Sequence, residues 1–172
     1  MSETTDTTIS AGLRAATAVA HERAEGSTFV ADLMSGDLDA DAYARMAAQL
    51  YFVYRALEEA GDALGEDTTT APVVAGIIDE RLRRLPRLTA DLEALGVDPA
   101  SVSPLPSVAR YVEAIMSSRT DPARFVAHHY TRYLGDLSGG QVIRSRVKLH
   151  YGLTDETLSF YVFDGIEKLK RF

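Results

Sequence analysis

The chain has 172 residues, 46% of them hydrophobic, a formal net charge of −7 and no cysteine. That length suits one domain around a single core. The lack of thiols excludes disulfides, thiolate metal ligands and zinc knuckles, and the acidic balance argues against general nucleic-acid binding. No run of 18 apolar residues occurs, so no membrane span is expected. The polar, acidic start does not read as a signal peptide, and a cytoplasmic setting is expected.

Residues 1–9 read as a disordered N-terminal tail and 10–172 as one helical domain. Ser10 is placed to N-cap a first helix that runs to about Glu25, with Gly26 as its stop. A short helix is predicted over 27–34, stopped at Ser35-Gly36. Asp39 opens a long helix to about Leu64. Its stripe of Tyr43, Ala47, Leu50, Tyr54 and Leu57 advances by four, three, four and three residues, the helical period. After a polar loop over 65–71, Pro72 starts a helix that Pro86 separates from a second one, ended by Gly96. A proline-containing loop over 99–106 precedes a helix over 107–118. Asp121-Pro122 starts a helix running to about His150. Thr154 is expected to cap a short further piece and Asp164 to begin another helix. No alternating pattern signals a strand. The expected fold class is therefore all-α, one multi-helix domain of about seven helices without repeats.

The stretch Tyr133-Leu134-Gly135-Asp136-Leu137-Ser138-Gly139-Gly140-Gln141 lies inside the last long helical pattern. Each glycine there costs roughly 1 kcal/mol relative to alanine, so bare backbone has a use. Gly135 and Gly139 are four residues apart and share a face that another helix or a flat ligand can approach closely. Asp136 stands beside that face, with Arg132 one turn earlier. The pair is either a surface ion pair worth a few tenths of a kcal/mol or a partly buried carboxylate that holds water in a pocket. Tyr54 belongs to a core stripe, and its hydroxyl needs a partner if buried. Tyr130 and Tyr133 suit either core or pocket wall.

Among the four histidines, His21 stands out through its neighbours. Glu25 is one turn later, where a carboxylate can bond the ring nitrogen that faces away from a metal. Arg14 is two turns earlier, and the small residues Thr17, Ala20 and Ala24 leave room for something flat. The alternative is a partly exposed His–Glu pair. The consecutive His128 and His129 read as one core and one surface residue. His150, near a helix C-terminus, reads as structural. Phosphate-cradling loops, Gly-x-Ser-x-Gly, His-Glu-x-x-His and paired Glu-x-x-His motifs are absent.

The nine residues from Tyr133 to Gln141 closely resemble the signature of the haem oxygenases. Thr17-x-x-Ala20-His21-x-x-Ala24-Glu25 resembles that family's proximal helix, and Tyr54-x-Ala56-Leu57-Glu58-Glu59 its second long helix. Phe160-Tyr161-x-Phe163 and Gly165-Ile166 resemble the region after its distal helix. The similarity extends from about Leu13 to Phe172, with the bacterial branch that lacks a membrane tail as the nearest match. The resemblance implies haem held between a proximal helix and a kinked, glycine-rich distal helix.

By position, His21 is then the iron ligand and Glu25 the partner of its outer nitrogen. Gly135 and Gly139 lie against the distal haem face, with Ser138 and Gly140 lining it. Asp136 anchors a distal water network with Tyr54 and Arg132 in support, and Arg14 and Tyr130 meet the haem propionates. The implied reaction uses haem b as both cofactor and substrate, with O₂ and an external electron donor, an NADPH-dependent reductase or a ferredoxin. An iron-bound hydroperoxide attacks a meso carbon, giving biliverdin (the IX-alpha isomer is the usual one), carbon monoxide and ferrous iron, which can serve iron acquisition. A neutral imidazole suits this outcome because a thiolate ligand would favour O–O cleavage. The family's chain continues past Phe172 into a helix with further Lys and Arg partners for the propionates, so a truncated C-terminal helix is expected here; Lys168, Lys170 and Arg171 do not occupy the matching positions. A haem carrier or sensor without turnover would share His21, and a helical interaction module would use the glycines for packing alone. Asp136 with Tyr54 and Arg132 favours the enzyme over the carrier, and the interaction module predicts no spectral change on adding haemin.

Overall fold

The computed structural model describes residues 9–166, without the side chains of Ile9, Ser10, Leu13, Arg14 and Glu25. Seven α-helices occur among them: α1 (Ile9–Glu25), α2 (Thr28–Ser35), α3 (Ala40–Glu66), α4 (Ala71–Val74), α5 (Leu85–Ala94), α6 (Pro106–Met116) and α7 (Pro122–Tyr151). Single 3-10 turns cover Glu80–Leu82, Pro99–Ser101 and Ser159–Tyr161. No strand is present among the described residues, as the all-α reading requires. Of the tail predicted over residues 1–9, Ile9 begins α1 and the rest lies outside the described residues, as does most of the helix expected from Asp164.

The helix ends follow local chemistry. The Asp39 carboxylate accepts from the Ala42 N–H at 2.7 Å, and that of Asp121 accepts from Arg124 N–H at 3.2 Å, so each satisfies a donor that a helix start leaves orphaned. Gly36 closes α2 at φ 91° and Gly152 closes α7 at φ 65°, backbone angles that favour glycine. Helix α3 is the central post, packed by α4, α5, α6 and α7. Its predicted stripe faces inward: Tyr43, Ala47, Tyr54 and Leu57 are buried and Leu50 is partly so. Around it Leu88, Leu92, Ile115, Phe125 and Phe160 are fully enclosed, each contributing about 1.5–3 kcal/mol of apolar burial.

Three local expectations are corrected. Ser10 lies within α1 rather than at its cap. The helix expected between Pro72 and Pro86 shrinks to the four residues of α4, because tertiary contacts compete with helix continuation. The Glu58 carboxylate of α3 accepts from the backbone N–H groups of Arg84 and Leu85 and starts α5 from outside, and Asp79 caps a single 3-10 turn. Thr154 begins a turn closed by Thr157 rather than a helix.

The chain after α7 folds back onto the bundle. Arg84, 1% exposed, donates to the carbonyls of Leu82, Phe160, Val162 and Arg81. Asp91, also buried, receives the Ser159 and Phe160 N–H groups and the Ser159 hydroxyl. These bonds seat Phe160 and Tyr161 behind α7. No helix among the described residues is long and apolar enough to cross a membrane.

Candidate active site

Helix α7 continues unbroken through its glycines and divides into two faces. Phe125, Tyr133, Asp136, Leu137, Gly140 and Val147 are buried. Leu134, Gly135, Ser138, Gly139 and Val142 are exposed on the other side. A Cβ added at Gly135 or Gly139 would meet nothing within 4 Å, whereas one at Gly140 would lie 3.2 Å from the Tyr161 ring. Gly140 therefore belongs to the core side and does not line the open face with Ser138. The spacing carried that signal, since Gly140 is one turn after Asp136.

Asp136 is the buried carboxyl at the edge of the open strip. The Tyr54 hydroxyl donates to its Oδ2. An Arg132 guanidinium nitrogen stands 3.9 Å from Oδ1, an ion-pair distance too long for a direct hydrogen bond. Burial pushes the Asp136 carboxyl well above the usual carboxylate range. Of the two alternatives raised by the Arg132–Asp136 spacing, the buried carboxyl is the one observed. The Arg132 guanidinium lies 5.5 Å from the centre of the Tyr54 ring, and its Nε is buried without a partner. Tyr54 is itself wedged edge-on between Tyr133 at 5.5 Å and Phe160 at 5.2 Å.

The remaining candidates divide. His21 is exposed, as is every described side chain of α1; the helix touches α2. The side chains of Arg14 and Glu25 lie outside the described residues. Tyr130 is 56% exposed on α7, while Tyr133 is buried. The structure thus joins Tyr54, Arg132 and Asp136, sets Gly135, Ser138 and Gly139 on the adjoining open face, and does not enclose His21 with them.

His128 and His129 are both half-buried rather than one core and one surface. The His129 ring stacks on Tyr133 at 4.2 Å, and burial pushes its pKa down to about 4. The His150 ring rests on Gly36, where a Cβ would come within 2.7 Å of it, a structural contact. Residue-level reading missed three members of the site's wall. Tyr111 shares an electrostatic neighbourhood with Arg132, Tyr161 covers Gly140, and Gln141 bonds the Asp136 carbonyl.

A family model described as "Heme oxygenase" matches residues 7–172. The chain belongs to the haem oxygenase family. It is 36% identical over 165 residues to "Heme oxygenase 1" of Gallus gallus, covering 93% of this chain and 55% of that protein. With the "Heme oxygenase" of Rhodella violacea it shares 35% identity over 171 residues, covering 97% of this chain and 71% of the relative. The chain thus spans little more than half the length of some relatives that it matches. A solved haem oxygenase-1 from the cyanobacterium Synechocystis, in complex with heme, superposes with a TM-score of 0.80 at 31% identity, covering 92% of this chain and 72% of that one. The haem oxygenase of Leptospira interrogans gives 0.79 at 32% identity, covering 91% and 77%. These likenesses fix the fold and family to which the open strip and buried carboxyl belong.

Proposed function

We propose that the chain binds haem between α1 and α7 and, as a haem oxygenase, opens it to biliverdin, carbon monoxide and ferrous iron, with O₂ and electrons from a reductase or ferredoxin. The observation that carries this reading is the buried, protonatable Asp136, bonded by Tyr54, beside a strip where added side-chain atoms would meet open space. Membership of the family supports it. When bound, haem supplies the iron that activates O₂ and the ring that is cleaved.

The chain's residues suit such a guest. His21 offers an exposed imidazole on a helix whose neighbours Thr17, Ala20 and Ala24 are small, and Glu25 one turn on would orient the ring. Gly135 and Gly139 admit a flat plate against main chain, with Leu134 and Val142 as apolar flanks. Arg14 and Tyr130 would meet the propionates. Asp136 is the proton holder. Tyr54 donates to Oδ2, which leaves Oδ1, on the side of Arg132, as the oxygen that would carry the acid proton and pass it outward through water. Simple haem storage needs no such buried acid.

One titration tests the proposal. Haemin added to the protein should give a histidine-ligated Soret band, and reductant with air should convert it to a biliverdin spectrum. A stable band without conversion would indicate a carrier, and no band at all would refute haem binding.

A further inference from the structure

Asp136 stands in the softest part of α7, with glycines at 135, 139 and 140, the residue type least suited to hold a helix rigid. A proton holder needs a fixed place, so that turn must be held from outside the helix. We infer that Gln141 is a positioning residue that pins the Asp136 turn of α7 to the segment 159–163. This inference rests on the role proposed for Asp136 above.

The contact is a two-pronged clamp. Gln141 Nε2 donates to the Asp136 carbonyl at 3.2 Å and to the Tyr161 carbonyl at 3.0 Å, which employs both amide hydrogens. The far side of the clamp is anchored. The Asp91 carboxylate accepts from Ser159 N–H at 2.8 Å, Ser159 O–H at 2.6 Å and Phe160 N–H at 2.8 Å. The Arg84 guanidinium donates to Phe160 C=O at 3.0 Å and Val162 C=O at 2.6 Å, the carbonyls on either side of Tyr161. Tyr161 is 2% exposed, and its hydroxyl lies in the neighbourhood of that of Tyr43 on α3. Charge-assisted bonds at both ends make this segment a stiff platform.

From this platform two contacts reach the proton-holding pair. The Phe160 ring meets Tyr54 edge-on at 5.2 Å, which sets the phenol that bonds Asp136. Gln141 sets the main chain that carries the carboxyl. The Tyr161 ring packs against Gly140, where a Cβ would stand 3.2 Å from two of its carbons, a closeness that a side chain at 140 would disturb. Gln141 bonds the Asp136 main chain rather than its carboxyl. Its effect passes through the Asp136 backbone, which makes it distinct from Tyr54 and Arg132.

The experiment uses the haem-free protein with aspartate labelled at the carboxyl carbon. Gln141→Met keeps length and bulk but removes the donor; Gln141→Lys keeps a donor. The methionine variant should move the Asp136 titration, read by NMR, towards the ordinary carboxylate range and shift the Gly135 and Gly139 amide resonances, and the lysine variant, whose own charge lowers the Asp136 titration, should restore the glycine amides. With haem bound, turnover by the methionine variant should fall about tenfold at unchanged KM, as a small displacement near reacting groups does. A methionine variant with wild-type Asp136 titration and wild-type glycine amides overturns the inference, whatever its melting temperature. So does a lysine variant whose glycine amides match those of the methionine variant. If Gln141→Met does not fold, Gln141→Glu, which has no donor when ionised, is read by its glycine amides, because its own charge raises the Asp136 titration. The NMR measurement contains no haem, so it decides the role of Gln141 even where the haem reading fails.

Discussion

On α7 the Asp136 carboxyl is buried, bonded by Tyr54 and backed by Phe160 and Tyr161; on α1 every described side chain, His21 included, is exposed. One wall of the candidate site is assembled by the protein's own core, and the other is not. The difference follows from what each helix can bury. The inner face of α7 carries Phe125, Tyr133, Leu137 and Val147, which join the aromatic and aliphatic core. The described part of α1 carries six alanines and, as its only larger aliphatic side chain, one exposed valine at 19, and so gains little by packing. On the proposed reading, the proton holder is built in by folding, while the helix that carries His21 would gain its contacts from haem. Substitutions on the two helices should therefore fail in different ways.

The largest effect is expected on the open side. His21→Ala should abolish the histidine-ligated Soret band and with it ring opening, while stability stays within the range of an ordinary exposed substitution, about 0.5 kcal/mol. A variant with the wild-type haem spectrum would remove His21 from the site.

Asp136→Ala, on the prepared side, should keep the haem spectrum and lower biliverdin formation by roughly 10²–10⁴-fold, the usual contribution of a positioned proton donor. Peroxidase-like chemistry should take the place of the lost ring opening, and full biliverdin yield is the outcome that counts against Asp136. Its stability signature has a definite sign. The folded state raises this pKa, so the group's contribution to stability is complete below its ordinary value and is lost as pH rises through the folded value. Asp136→Asn should flatten that part of the pH–stability curve, measured by denaturant midpoints.

The glycines sharpen the contrast within one helix. Gly139→Ala meets open space, so it should raise helix stability by about 1 kcal/mol yet weaken haem binding about tenfold by crowding the strip. Gly140→Ala meets the Tyr161 ring and should lower stability by about 1–3 kcal/mol. Equal effects from the two variants, in thermal melts and haem titrations, would contradict the division of faces.

Much of this arrangement was legible in the order of residues. The period of Tyr43, Ala47, Tyr54 and Leu57 marked the inner face of α3, and Asp39 and Asp121 marked helix starts because a short carboxylate satisfies orphan N–H groups. The pairing of Tyr54 with Asp136 spans 82 residues and was accessible only through family resemblance. The brevity of α4 was not legible, because Glu58 on α3 supplies the donor-satisfying contact that ends the preceding loop. Nor was the clamp at Gln141, whose partner Tyr161 is 20 residues away across a turn. Local signals set the elements; the site wall depends on polar contacts between them.

The smallest expected effect lies behind the prepared wall. His129 stacks on Tyr133 and borders a cavity that Glu58, Asp62 and Arg83 also line. Burial lowers its pKa from 6.5 to about 4, so the folded state prefers the neutral ring. For a depressed histidine the stabilising contribution is complete above pH 6.5 and drains away as pH falls towards the folded value. On the order of 2 kcal/mol should be lost across that window. His129→Leu cannot take up a proton, so its denaturant midpoint should hold where the wild type declines. Haem turnover near pH 7 should change little, since His129 is already neutral there and reaches Asp136 only through Tyr133 and Tyr54. A parallel acid decline in both proteins would place the acid-sensitive group elsewhere and leave Tyr133 held by packing alone.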